Sequence, residues 1–232
     1  MSSADVTFCL PIKRLENERM ILEPFDISSH LDAYLDGCKD HPELHNYVGY
    51  GPIVTKADFA AFYEPRMAKS SSDTLFAIMA KSDETDERGT LAGVIGYQNA
   101  SATNGTLEIG YITVLPKFHR TFVTSNAVGL LLLYAMDAVP GGLGMRRCQW
   151  QSHASNEASR RVATRMHFTF ECVQRFQRTV PIGKVGNGFD TSGLADATGR
   201  NLGPSRDSAV FAHYCDEWPE KRKGVVAVME RR

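Results

Sequence analysis

The stretch GTLEIGYITVLPKFHRTFVTSNAVGLLLLYAM, residues 105–136, decides how the chain is read. Its first half is rich in β-branched and aromatic residues and stops at Pro116, which reads as a strand. Its second half is apolar on nearly every side, which reads as a buried helix. Between them stands a basic turn without glycine: Lys117, His119 and Arg120, followed by the hydroxyls of Thr121, Thr124 and Ser125. On spacing alone two readings stay open, a plainly capped helix or a helix whose first turn holds an anion. Glu108 lies mid-strand on the face of Thr106 and Gly110. It is either an edge carboxylate facing water or a general base.

Outward from that stretch, punctuation sets the elements. RMILEP (19–24) is a short strand stopped by Pro24. A first helix is expected to begin near Ser28 or Ser29. A second follows Thr55, which has Asp58 three residues on as a capping pair. TLFAIMAKS and TLAGVIGYQNA are β-rich runs joined by the polar DETDERG, a hairpin pattern. After the apolar helix come a strand (MRRCQWQSH), a helix capped near Asn156, a strand (TFECVQRFQR), and a Gly-rich polar segment at 179–206 expected to be a mobile loop. DSAVFAHYC is a closing strand, and a helix with Pro219 in its first turn ends the chain. Strand, helix, strand in the middle requires a parallel crossover. The expected architecture is therefore α/β (α+β): one domain over 1–232, with a mixed, mostly antiparallel sheet flanked by helices.

At 232 residues and 43% hydrophobic the chain can bury a sizeable core. A net charge of −1 gives no general attraction to nucleic acid or to a membrane surface, so any anion site must be local. The five scattered cysteines form no CxxC pair, which argues against a disulfide framework and a structural zinc. The histidines show no ligand spacing, and no metal is expected. The first twenty residues lack a signal-peptide core, and the longest apolar run, 127–136, is about half of what a bilayer needs. The chain is expected to be soluble and cytoplasmic, or nuclear.

These residues resemble the GNAT acetyltransferase superfamily, and within it the ribosomal-protein N-acetyltransferases (RimJ/RimL-like). LEIGYITVLP resembles the central strand whose splayed end accepts the pantetheine arm. HRTFVTSNAVGLLLLYAM occupies the slot of the pyrophosphate turn and its helix. NEASRRVATRMHFTFE is similar to the family's Asn-x-x-Ser helix, and RDSAVFAHYCDEWPE to this branch's closing strand and helix start. The usual turn carries glycines, whereas here FHRT is similar to a glycine-poor version. The resemblance implies acetyl-CoA as cosubstrate, held by Ile112, Thr113 and Val114 of the strand, by His119, Arg120, Thr121, Phe122, Val123, Thr124 and Ser125 of the turn, and by Asn156. Arg120 would fork onto phosphate oxygens where glycine amides are missing.

The resemblance also gives Glu108 the role of base and Ser159 that of a donor to the departing thiolate. The family's commoner donor, a tyrosine one turn further on, is replaced by Ala163; Tyr111 and Tyr134 stay open for that role. The partner implied is an amine acceptor, either a peptide N-terminus or a small-molecule amine. Asp36, Asp40 and Glu43, in the region expected to shape the acceptor cleft, would suit a cationic amine or simply form a solvated face. A non-catalytic acyl-CoA sensor or scaffold is the rival reading. Cys148 and His153 lie five apart in a strand, hence on opposite faces, so Cys148 is read as a core thiol.

Overall fold

A computed structural model of the chain describes residues 7–231. The leader reading thus falls partly on residues 1–6, outside the described residues. The strands are β1 (Leu15–Glu16), β2 (Met20–Pro24), β3 (Thr74–Ala80), β4 (Thr90–Ser101), β5 (Thr106–Val114), β6 (Arg147–His153), β7 (Thr169–Thr179) and β8 (Ser205–Tyr214). The helices are α1 (Ile27–Cys38), α2 (Lys56–Tyr63), α3 (Val123–Met136), α4 (Glu157–Arg165) and α5 (Trp218–Met229).

The strands form one sheet in the order β1-β2-β3-β4-β5-β6-β8-β7. All neighbours are antiparallel except β5 and β6, the pair that α3 connects, so the expected crossover is present. Local sequence explains the element ends. Thr55 and Asp58 exchange backbone and side-chain bonds as a full capping box at α2. At α1 the cap is Asp26 rather than a serine: its carboxylate accepts from the Ser28 N–H and from both the Ser28 and Ser29 hydroxyls. The serines that look like caps are thus the cap's own partners.

Burial on both faces places the sheet in the middle of the molecule. Along β3, Phe76 and Ile78 point to a core shared with α3 and α5, while Leu75 and Ala77 point to a second core shared with α1 and α2. Helix α3 is buried on almost its whole circumference, from Val123 to Met136. Gly129 lets α5 approach it closely, because a Cβ there would collide with the Met229 sulfur. The 179–206 segment touches the rest of the molecule through Lys184 and Asn187. Lys184 Nζ donates to the His45 carbonyl at 2.7 Å, and Asn187 Nδ2 donates to Asp207 at 2.8 Å. Among the described residues no helix is long and apolar enough to cross a membrane.

Candidate active site

The site arises where the central strands part. β5 and β6 pair only from Thr106–Arg147 to Ile109–Trp150; beyond that both continue without each other. β5 also carries an irregularity against β4 between Gly110 and Thr113, with Tyr111 in the left-handed region at φ 55°. Together these open a cleft of about 1080 Å³. One end lies at the first turns of α3 and α4, the other at the 44–50 segment and the β7–β8 hairpin.

Glu108 stands on the cleft wall yet is only 1% exposed. Three carboxamides hold it: Gln98 Nε2 donates to Oε1 at 2.5 Å, and Asn99 Nδ2 and Gln149 Nε2 donate to Oε2 at 3.2 and 3.0 Å. Burial pushes its pKa up, and the three amide bonds oppose that without cancelling it. It is therefore not the water-facing edge carboxylate that strand position allowed. Gly110 makes room for this arrangement, since a Cβ there would meet the Gln98 carboxamide at 2.7 Å.

At the other end, α3 starts without a side-chain cap. The Thr121 hydroxyl accepts from the Val123 N–H at 3.3 Å, while among the described residues the N–H groups of Thr124 and Ser125 meet no protein acceptor. Both residues line the cleft, as do Ile112, Thr113, Val114, His119, Arg120, Thr121 and Phe122. Arg120 takes φ 60°, the conformation that a glycine turn adopts freely, and its exposed side chain has no protein partner among the described residues. His119 pins the turn to the strand through Nε2 and the Val114 carbonyl, 2.8 Å apart. The Val123 side chain is fully buried in the α3 core and does not line the cleft, because the helix has already turned it inward.

On α4, Asn156 Oδ1 caps the helix by accepting from the Ser159 N–H at 3.1 Å, while its amide group has no protein partner among the described residues. Asn156 thus caps α4 and lines the cleft at once. Ser159 Oγ accepts from Trp150 Nε1 at 3.1 Å, which leaves its own proton free to point into the cleft. The two tyrosines are otherwise engaged. The Tyr134 hydroxyl donates to the Pro11 carbonyl and does not line the cleft. The Tyr111 hydroxyl donates to Asp73 at 2.7 Å, and burial together with that carboxylate pushes its pKa well up. Cys148 is a fully buried thiol with its pKa also pushed up by burial. His153 lines the cleft, but Nδ1 accepts from the Ser155 N–H and Nε2 donates to the Val185 carbonyl, which fixes a neutral ring. Among the described residues no group of three or more His, Cys, Asp or Glu side chains could hold a metal ion.

Sequence reading missed three arginines at the end of the cleft away from α3. Arg66, Arg178 and Arg206 line it, from the turn after α2, from β7 and from β8, with Tyr47 and Tyr50 beside them. Asp36, Asp40 and Glu43 do not line it; Asp36 pairs outward with Lys39 at 2.6 Å and Glu43 with His41 at 2.9 Å.

The cleft thus joins a splayed pair of parallel strands to an open helix N-terminus, a shape and polarity suited to a long ligand with an anionic end. Residues 19–169 match the family model described as acetyltransferase (GNAT) domain, and the chain belongs to that family. No curated protein matches the chain in sequence. Among solved structures, a GCN5-related N-acetyltransferase from Brucella melitensis is 25% identical over 99% of this chain and 90% of its own, with a TM-score of 0.74. Mycobacterium smegmatis RimJ in complex with CoA-disulfide is 15% identical over 93% of this chain and 94% of its own (TM-score 0.67). An acetyltransferase from Salmonella typhimurium that modifies the N-terminal serine of ribosomal protein L7/L12 is 16% identical over 87% of this chain and 99% of its own (TM-score 0.63). The last two likenesses speak to the fold. The chain is an N-acetyltransferase of a family that draws its acetyl group from acetyl-CoA.

Proposed function

We propose that the chain moves the acetyl group of acetyl-CoA to a primary amine by direct attack on the thioester, with no covalent enzyme intermediate. The observation that carries this reading is Glu108, a buried carboxylate on the cleft wall whose pKa is raised toward that of the amine it must deprotonate. Amines of pKa about 8 to 10 arrive mostly protonated at neutral pH, so a proton must leave before the nitrogen can attack. Glu108 takes it, directly or through a water. The backbone N–H groups of β5 beyond Ile109, left without a β6 partner, stabilise the charge that develops on the thioester oxygen. Ser159 donates to the departing thiolate.

The acetyl-CoA end of the cleft fits that cosubstrate on this structure's own terms. The Thr124 and Ser125 N–H groups and the α3 dipole meet an anion, and Arg120 adds a charged fork in place of glycine amides. The test has two arms. Calorimetry with acetyl-CoA should show binding, and thiol release over a panel of amines should show turnover. Binding without release for any amine would leave a sensor, and no binding at all would end the reading.

A further inference from the structure

We propose that the acceptor end of the cleft is built for an amine that also carries a carboxylate, with Arg206 as the group that receives it. This rests on the transferase reading above and names its substrate class. Among the described residues Glu108 is the one acid lining the cleft, whereas three arginines converge on the acceptor end. That balance is the reverse of what a polyamine needs.

Arg206 is the distinctive member. It is 6% exposed, its Nε is buried without a hydrogen-bond partner, and its side chain makes no hydrogen bond or ion pair among the described residues. A buried guanidinium whose donors are unpaired is costly, and an arriving anion that bonds to it lowers that cost. Burial, with the Arg178 charge behind it, brings its pKa down to about 10, so it remains cationic at neutral pH. Glu108 lies near enough for its charge to favour the cation, but it makes no hydrogen bond or ion pair with Arg206, because the bonds to that carboxylate are made by Gln98, Asn99 and Gln149.

The two companions are also free of carboxylates. Arg178 donates only to the amide oxygens of Gln177 and Gln151. Arg66 donates to the Phe62 carbonyl and lies over the Tyr50 and Phe62 rings. Pairing across β7 and β8 sets Arg178 opposite Arg206. A carboxylate drawn between them takes a forked pair of charge-assisted bonds, and it leaves the amine of the same molecule near Glu108. The carboxylate could be the α-carboxylate of a free amino acid or the side chain of an acidic first residue in a peptide. Both present the same chemistry.

The experiment measures kcat/KM for thiol release with matched acceptors: glycine against glycinamide, and Asp-Ala-Ala-amide against Asn-Ala-Ala-amide. In one pair the carboxylate member should be preferred by about ten- to a hundredfold, the size of a charge-assisted pairing, and which pair shows it identifies the source. Arg206→Met should abolish the preference and leave acetyl-CoA affinity unchanged, and Arg206→Lys should keep part of it. Should Arg206→Met not fold, Arg178→Gln, at an exposed position, should lower the preference by a smaller factor. Equal use of both members in both pairs overturns the proposal. So does a preference that survives Arg206→Met, or a loss of acetyl-CoA affinity in that variant, which would assign the arginine to the cofactor. If no acceptor releases thiol, the transferase reading fails by itself. Calorimetry of both matched pairs on the CoA-loaded protein then decides the carboxylate, with tighter binding of the carboxylate member in one pair supporting it and equal affinity in both pairs overturning it.

Discussion

Replacing Glu108 by glutamine keeps the shape of a side chain held by three carboxamides and removes its capacity to take a proton. A positioned general base contributes about 10²–10⁴-fold, so kcat/KM at pH 7 should fall within that range. The size of the fall should depend on pH. With an acceptor amine of pKa about 8, roughly a tenth is neutral at pH 7 and roughly nine-tenths at pH 9. The variant depends on the amine that arrives neutral, so the gap to wild type should narrow about tenfold over that interval. Thiol release at subsaturating amine between pH 6.5 and 9.5 would measure it, with acetyl-CoA affinity unchanged as the control. Stability gives a second readout. Because burial raises the folded-state pKa above the ordinary 4.5, the carboxyl's contribution is full below that value and is lost as pH rises through the folded value. Relative to wild type, the variant's Tm should therefore improve as pH climbs from 4.5 toward neutrality. A rate gap that is the same at every pH would refute the base assignment and leave Glu108 as a structural residue.

Arg120→Ala should raise the acetyl-CoA Kd by about ten- to a hundredfold, and binding of acetyl-pantetheine, which lacks the pyrophosphate, should not change. Arg120→Gly should do the same to the Kd while relieving the left-handed backbone, which separates lost charge from strain. Asn156→Ala should cost about 1 kcal/mol in chemical denaturation through the lost cap, and it should also weaken acetyl-CoA binding. Intact affinity in that variant would leave the residue a cap alone. Ser159→Ala should lower kcat modestly at unchanged Kd, and an unchanged kcat would remove it from the thiolate step.

Local chemistry made much of this molecule readable. Pro24 closes β2, Pro116 follows β5, Thr55 with Asp58 starts α2, and Asn156 starts α4, because each acts on its own neighbours. Glu108 was visible as a carboxylate in an apolar strand, but its three carboxamide partners come from β4 and β6, and only strand register brings them together. Tertiary placement likewise decides between the two readings of the acids near α1, and favours the solvated face. Asp36, Asp40 and Glu43 lie in a segment whose neighbours line the cleft, yet their side chains turn outward, whereas Arg66, Arg178 and Arg206 meet from three distant stretches. Nor did the hydroxyls before α3 announce which would face inward. Thr124 and Ser125 do, and Val123 between them and the turn belongs to the core.

The central claim is that this cleft joins acetyl-CoA to an amine. It is tested most directly by incubating the protein with acetyl-CoA and a panel of free amino acids, small amines and peptides bearing free N-termini, then weighing the acceptors by mass spectrometry. The account predicts one acetyl group on the amine of the acceptor that is used, in step with thiol release by wild type, and almost none at pH 7 with Glu108→Gln. Thiol release with every acceptor left unmodified, or acetylation that proceeds equally well without Glu108, would contradict it.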